Sequence, residues 1–159
     1  MKPYEIALVG VAALVILFLL YSFLTAKGAN KKVTIANPDG SSVDVQVEVA
    51  DTPLMHMKGL MGRKSLGETE GMLFVFQNEG IYPFWMLNTT IPLDAIYADK
   101  TGTIVEVIAM EPCGFNITDC KVYRPINIAK YVLEVNMGFS KTHDLSIGKS
   151  RIVLDSTSN

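Results

Sequence analysis

Residues 59–94 read GLMGRKSLGETEGMLFVFQNEGIYPFWMLNTTIPLD and say most about how this chain folds. Large apolar side chains dominate this stretch, and its only cations are Arg63 and Lys64. The apolar run at residues 72–76 is typical of a buried strand, and residues 84–87 predict a second strand. The stretch therefore predicts the centre of a β-rich core. The large apolar residues are Met61, Met72, Phe74, Phe76, Phe84, Trp85 and Met86.

A β-hairpin is predicted on the N-terminal side of this stretch. Valines occupy every second position of residues 43–49 and alternate with polar residues, which is the period of a strand. Residues 33–35 predict the partner strand. Asn-Pro-Asp-Gly at residues 37–40 is a sequence typical of the turn between them.

Further short strands are predicted on the C-terminal side. Residues 93–97 alternate after Pro92, and a Lys-Thr-Gly turn leads into residues 104–110, which predicts a second hairpin. Residues 131–135 and 152–154 predict two more strands, with a short helical turn or loop at residues 138–143.

One helix interrupts these strands. Pro53 follows the capping residues Asp51 and Thr52, which predicts a helix that ends at Gly62. Short strands with one helix predict an α+β, mostly-β domain. We expect a compact antiparallel curved sheet or small barrel with one short helix, preceded by an N-terminal transmembrane helix.

Four motifs in this order resemble the family named domain of unknown function 192. Weaker matches are Gly102, Gly138, Gly148 and the Leu-Glu-Val at residues 133–135. The resemblance implies a compact β-rich domain that is often exported or membrane-anchored. It implies no catalytic residue, because the family has no established activity. The four motifs are Gly59-Leu60-Met61-Gly62-Arg63, Gly71-Met72-Leu73-Phe74-Val75-Phe76, Phe84-Trp85-Met86 with Asn88-Thr89, and Ile91-Pro92-Leu93-Asp94.

The N-terminal segment predicts a membrane helix. Residues 6–24 carry no charge and no proline, and as a helix they span roughly 28 Å, close to the hydrocarbon thickness of a bilayer. A cleaved signal peptide is the alternative, although this apolar run is long for one. We predict an anchor or uncleaved signal at residues 1–27, a linker at 28–32, one globular domain at 33–155 and a polar tail at 156–159.

Two features of the sequence disagree about which side of the membrane the globular domain occupies. Lys27, Lys31 and Lys32 follow the apolar run, which favours a cytoplasmic domain, although long domains translocate with little regard to charge. Cys113 and Cys120 lie close enough in sequence to form a disulfide, which persists in oxidising compartments. Two free thiols are the alternative. We expect the domain to lie outside the cytoplasm.

Five residues of the central stretch are candidates for a ligand site: Arg63, Trp85, Met86, Asn88 and Asp94. An aromatic platform beside a cation and a carboxylate is typical of a small-ligand cleft. The structural alternatives are core packing for Trp85 and Met86, an ion pair between Arg63 and Asp94, and a turn held by Asn88.

Two further site hypotheses lie outside these five residues. Met55, His56 and Met57 offer thioether and imidazole groups, which suit Cu(I), although methionine in a helix usually fills a core. No other metal and no organic cofactor is expected. Asn116 starts a glycosylation sequon in the predicted loop between the cysteines.

Composition narrows the class of function. The net charge is −2 and no basic stripe is present, so we expect no nucleic-acid partner. The expected function is a membrane-anchored extracytoplasmic binding module for a small molecule, glycan or peptide, held in the membrane by residues 6–24. One alternative is an accessory component of a surface protein assembly. Another is a hydrolase or transferase that uses Asp94 as acid or base, with Tyr97 and Asp99 near it.

Overall fold

The computed structural model describes residues 3–25 and 28–154. The predicted polar tail and residue 155 lie outside the described residues. The mostly-β prediction is confirmed, and the N-terminal apolar segment is a helix. The elements are α1 Pro3–Thr25, β1 Asn30–Ala36, β2 Ser42–Ala50, α2 Pro53–Lys58, β3 Glu70–Gly80, β4 Phe84–Trp85, β5 Leu93–Ala98, β6 Ile104–Met110, a 3₁₀ turn Ile117–Asp119, β7 Val122–Tyr123, β8 Ala129–Asn136, α3 Phe139–Thr142 and β9 Arg151–Leu154.

Seven strands form one curled sheet in the order β6-β5-β8-β3-β2-β1-β9. The prediction of an antiparallel sheet needs one correction, because β2 and β3 are parallel. A parallel pair needs a crossover connection, and α2 lies in that connection. The two edges of the sheet approach each other, since the Ile152 N–H donates to the Gly102 carbonyl over 2.8 Å.

Both faces of this sheet are covered by apolar side chains. Tyr97 of β5 belongs to the cluster that includes Leu60 and Phe74. Its neighbour Ile96 belongs to the cluster on the opposite face, with Leu133 of β8. Successive strand residues point to opposite faces, and both faces are covered, so the interior strand β5 is buried at every position.

The local signals around α2 and β4 need two corrections. Helix α2 ends at Gly59 and not at Gly62, because Gly59 adopts a φ of +46° and its N–H donates to the Met55 carbonyl. The strand predicted at residues 84–87 stops at Trp85. It pairs with β7 in a separate two-stranded sheet, and Met86 turns into the core.

Helix α1 is long and apolar enough to cross a membrane, by its length and composition. Its window Leu8–Thr25 has a mean hydropathy of 2.5 and is not covered by the rest of the chain. The Lys58 ammonium of α2 donates to the Leu24 carbonyl over 3.0 Å, so α2 lies next to the C-terminal end of α1.

We predict that Gly71→Ala destabilises the sheet. A Cβ at Gly71 would lie 2.5 Å from the Glu134 carbonyl oxygen of the neighbouring strand β8, so the backbone would have to shift. Overpacking of this kind costs about 1–3 kcal/mol. Thermal unfolding should therefore show a clearly lower midpoint. Gly114→Ala is the matched control, because its Cβ would meet nothing within 4 Å. Equal midpoints for the two variants would contradict the packing assignment.

Candidate functional site

A narrow cavity of about 20 Å³ lies between α2, the loop that follows it, and the core face of the sheet. This volume suits one water molecule or one small polar group. Helix α2 and residues 59–61 cover one side, and β4 forms a wall. The lining residues are His56, Met57, Lys58, Gly59, Leu60, Met61, Phe74, Phe84, Trp85, Thr89 and Glu134.

Glu134 is the one carboxylate in this lining. It lies in β8, between Met72 of β3 and Ala95 of β5, and only 4% of its surface is exposed. Its side chain forms no hydrogen bond or ion pair with another described residue. Every fully buried side-chain oxygen among the described residues does have a hydrogen-bond partner, so the Glu134 oxygens are not fully buried. The Glu134 oxygens therefore keep a small contact with the cavity.

Burial of Glu134 changes its proton affinity. Loss of hydration disfavours the charged form, which raises the pKa of this carboxyl from 4.5 to about 8. In the unliganded protein at neutral pH, the group is therefore mostly protonated. A buried carboxyl without a partner in a cavity is a typical feature of a functional site.

The strand period explains why Glu134 faces the cavity. In β8 the buried residue Val132 lies on the same face as Glu134, whereas Leu133 and Val135 face the other cluster. Sequence reasoning did not select Glu134 as a site residue. The available signal was a charged residue in the middle of an apolar strand whose two faces are both buried.

Aromatic rings form the wall above Glu134. Phe84 contacts Phe74 edge to face, with ring centroids 4.8 Å apart, and lies 6.0 Å from the Tyr97 ring in the same manner. Trp85 also lines the cavity, is 36% exposed and pairs with Val122 of β7. Phe84 is thus fixed by the core, whereas Trp85 remains in contact with solvent.

The histidine in the lining is held in one tautomer. His56 Nε2 lies 3.0 Å from the Ala50 carbonyl oxygen, and only a protonated nitrogen can donate to that acceptor. The His56 ring also lies 4.5 Å from the Phe76 ring. Nδ1 is therefore the acceptor nitrogen of the neutral ring.

The three residues of the copper hypothesis do not share one cavity. His56 and Met57 line the cavity, whereas Met55 packs against the core and lines a neighbouring groove beside the end of α1. Among residues 3–25 and 28–154, no three His, Cys, Asp or Glu side chains cluster as metal ligands.

Arg63 and Asp94 do not form an ion pair or a shared cleft. Arg63 pairs with Glu48 of β2 in the neighbouring groove. Asp94 is only 3% exposed, and its Oδ2 accepts hydrogen bonds from the Ser140 N–H (3.1 Å) and hydroxyl (2.6 Å). Asp94 lies two positions before Ile96, so it faces the side of β5 opposite to Tyr97.

Met86 and Asn88 support the cavity without lining it. Met86 is buried in the core cluster beside Phe74. Asn88 has a φ of +52°, a conformation that asparagine tolerates better than most residues. Its carbonyl accepts from the Gly62 N–H and its N–H donates to the Gly114 carbonyl, so it connects the loop after α2 to the cysteine loop.

The cysteine loop is closed by a disulfide between Cys113 and Cys120, whose Cα atoms lie 5.6 Å apart. Asn116 lies inside this loop and is exposed. Its side chain caps the 3₁₀ turn by accepting from the Thr118 N–H, and it also donates to Asp119 over 2.8 Å. Whether Asn116 is glycosylated stays a prediction.

The whole β-rich domain, including this cavity, matches a family model. The model is DUF192, described as "Uncharacterized ACR", and it matches residues 34–152. The chain belongs to the DUF192 family. The resemblance read from the sequence motifs is confirmed, and the family description names no activity.

Known relatives agree with this assignment. The UPF0127 protein of Pyrococcus abyssi is 29% identical over 106 residues, which cover 65% of this chain and 81% of that protein. A crystal structure from Sinorhizobium meliloti, provisionally described as a transcription regulator, is 29% identical with a TM-score of 0.72. The matched region covers 80% of this chain and 95% of the Sinorhizobium meliloti chain. The crystal structure of a protein of unknown function from Novosphingobium aromaticivorans is 25% identical, with a TM-score of 0.69. The matched region covers 82% of this chain and 95% of that protein.

We predict that Glu134→Gln stabilises the protein as the pH rises. Native Glu134 keeps its proton up to a pH of about 8, whereas the unfolded chain loses it near 4.5. The folded state therefore loses stability between these values. A glutamine side chain cannot ionise, so the gain should be near zero at pH 4 and reach roughly 2–4 kcal/mol at pH 8.

The check is a series of unfolding midpoints from pH 4 to pH 9. Glu68→Gln is the matched control, because Glu68 is exposed and should show no trend. A pH-independent difference between Glu134→Gln and the parent would show that burial does not raise the pKa of Glu134.

Proposed function

We propose that this protein is a membrane-anchored binding module outside the cytoplasm, and that its ligand enters the cavity between Trp85 and Glu134. The observation that carries the proposal is the buried Glu134 carboxyl, which has no partner among the described residues and lines a cavity with aromatic walls. A ligand pocket is typically apolar with a small number of polar groups that fix orientation. The cavity has this composition.

Binding is favoured over hydrolysis or group transfer by the state of Asp94. That alternative depends on Asp94 as acid or base, but its carboxylate is buried and already accepts two hydrogen bonds from Ser140. Proton transfer requires a group within hydrogen-bond reach of the substrate. Asp94 instead anchors the start of α3 to β5.

The proposed location rests on two features. Helix α1 has the length and apolar composition of a membrane span, and the cysteine loop holds a disulfide. Disulfides persist in oxidising compartments such as the periplasm and the cell exterior. A DNA partner is not part of the proposal, because this chain has a net charge of −2 and its sequence has no basic stripe.

The accessory-component alternative is supported by the surface of the cysteine loop. Phe115 is 84% exposed, and Ile117 and Val122 are also exposed around the disulfide. Exposed apolar groups of this kind can mark a protein contact. In this alternative the cavity contains only water, and Trp85 is a rim residue of the contact surface.

We predict that ligand binding changes the tryptophan fluorescence of the protein. Trp85 is the only tryptophan in the chain, so its emission reports the opening of the cavity. We expect at least one compound in a panel of small amines, anions, sugars and metal salts to shift this emission. The same compound should raise the unfolding midpoint by mass action.

Two variants separate the cavity from its neighbour. Glu134→Gln should weaken the stabilisation by the active compound, whereas Arg63→Ala should leave it unchanged, because Arg63 lines the adjacent groove. If the stabilisation by an active compound depended on Arg63 and not on Glu134, the site would lie in the adjacent groove and not in the cavity. No response to any compound would favour the accessory alternative.

We predict that the globular domain is labelled from outside intact cells. A membrane-impermeant amine reagent should modify exposed lysines such as Lys100 and Lys149 before lysis, as measured by peptide mass spectrometry. A cytoplasmic marker protein is the control and should react only after lysis. Labelling of Lys100 only after lysis would place the domain in the cytoplasm.

A further inference from the structure

We infer that this cavity binds the ammonium group of a primary amine, with the Glu134 carboxylate as its counter-ion and Phe84 and Trp85 around the alkyl chain. The inference rests on the proposed function and names the chemical class of the ligand. Three properties of the site point to this class: the size of the cavity, the nature of its walls and the charge of its carboxylate.

The size of the cavity limits the inserted group. A space of about 20 Å³ holds one group the size of a water molecule. A primary ammonium has this size, whereas a quaternary ammonium carries three additional methyl groups. Trp85 lines the cavity and is 36% exposed, so the rest of the ligand would extend past it into solvent.

The walls favour a cation over a neutral polar group. Phe74, Phe84 and Trp85 all line the cavity. The faces of aromatic rings attract cations, by about 0.5–2 kcal/mol for each well-placed ring. The same rings also accommodate the methylene groups of an alkyl chain.

The acceptors match the donors of a primary ammonium. An ammonium has three N–H donors, and an ionised carboxylate accepts through two oxygens. Glu134 supplies those oxygens. Additional acceptors in the lining are the Thr89 hydroxyl and the weakly accepting thioether sulfurs of Met57 and Met61.

Other titratable groups around Glu134 do not replace this cation. Lys58 lines the cavity, but its ammonium donates to the Leu24 carbonyl at the end of α1. His56 donates to the Ala50 carbonyl, and the Tyr97 hydroxyl donates to the Tyr82 carbonyl over 3.2 Å. None of the three forms an ion pair with Glu134 within the described part of the chain.

Binding of the cation is coupled to loss of a proton. The free carboxyl is protonated at neutral pH, because burial raises the pKa of Glu134 to about 8. The incoming ammonium keeps its own proton, and the Glu134 proton passes to the buffer, which leaves a carboxylate–ammonium pair. As the pH rises towards 8, the affinity for the amine should therefore increase by up to tenfold per pH unit, and above pH 8 it should level off.

The test uses the full chain in detergent micelles and four probes of similar size. These probes are n-butylammonium, butan-1-ol, butyrate and tetramethylammonium. Trp85 fluorescence measures affinity, and calorimetry in two buffers of different ionisation enthalpy counts the released protons. We expect n-butylammonium to bind at least tenfold more tightly than the other three, with release of about one proton at pH 6.5 and almost none at pH 9.

Variants assign the effect to Glu134. Glu134→Gln should weaken n-butylammonium at least tenfold and abolish proton release, whereas Glu68→Gln should change neither. If Glu134→Gln does not fold, proton release by the parent protein decides the question, and its absence at pH 6.5 would overturn the inference.

The outcomes separate this inference from the proposed function. Equal binding of butan-1-ol and n-butylammonium, with an affinity by calorimetry that is sensitive to Trp85→Ala but not to Glu134→Gln, would retain a binding module and overturn the amine assignment. Binding of none of the four probes overturns the amine assignment, and the wider panel then decides the proposed function alone.

Discussion

The sheet of this protein is covered on both faces, and the rest of the structure depends on that constraint. β5 and the adjacent β8 are interior strands with an apolar cluster on each face, so most of their side chains are removed from bulk water. Apolar residues satisfy this condition at almost every position of the two strands. Polar side chains there must find a partner or change their protonation state.

Two acidic residues in these strands meet the constraint in different ways. Asp94 of β5 accepts two hydrogen bonds from Ser140 at the start of α3, so its buried Oδ2 has partners. Glu134 of β8 has no such donor among the described residues, and burial raises the pKa of its carboxyl. The two side chains lie on opposite faces of the sheet: α3 supplies donors beside Asp94, whereas the face of Glu134 carries aromatic rings and a cavity. Glu134 is therefore the residue that the proposed ligand would stabilise.

The parallel pairing of β2 and β3 places a cover over that cavity. The crossover between parallel strands must pass over one face of the sheet, and here it contains α2 and the loop whose Gly62 contacts Asn88. His56, Met57 and Met61 are carried to the cavity by this connection. The same connection brings Lys58 to the end of α1, so the cavity lies beside the predicted membrane anchor.

Much of the fold was predictable because local patterns record it. Valine alternation at residues 43–49 predicts β2, the apolar run at 72–76 lies within β3, and the Pro53 start of α2 follows from its capping residues. The family resemblance was also predictable, since it depends on motifs read directly along the chain. Local patterns predicted less of the site than of the fold. The partner of Arg63 is Glu48, fifteen residues away in sequence, and no local signal distinguishes it from Asp94.

The sequence by itself determined a β-rich domain with an apolar N-terminal segment, because strand period and apolar length are local properties of the chain. It also determined which polar residues lie within apolar strands. Only the tertiary structure decided that β2 and β3 are parallel, that Arg63 and Asp94 are separated, and that Glu134 faces a cavity. The physical reason is that the fate of a buried charge depends on the groups that the opposite strand, helix or loop brings to it, and those groups come from distant parts of the chain.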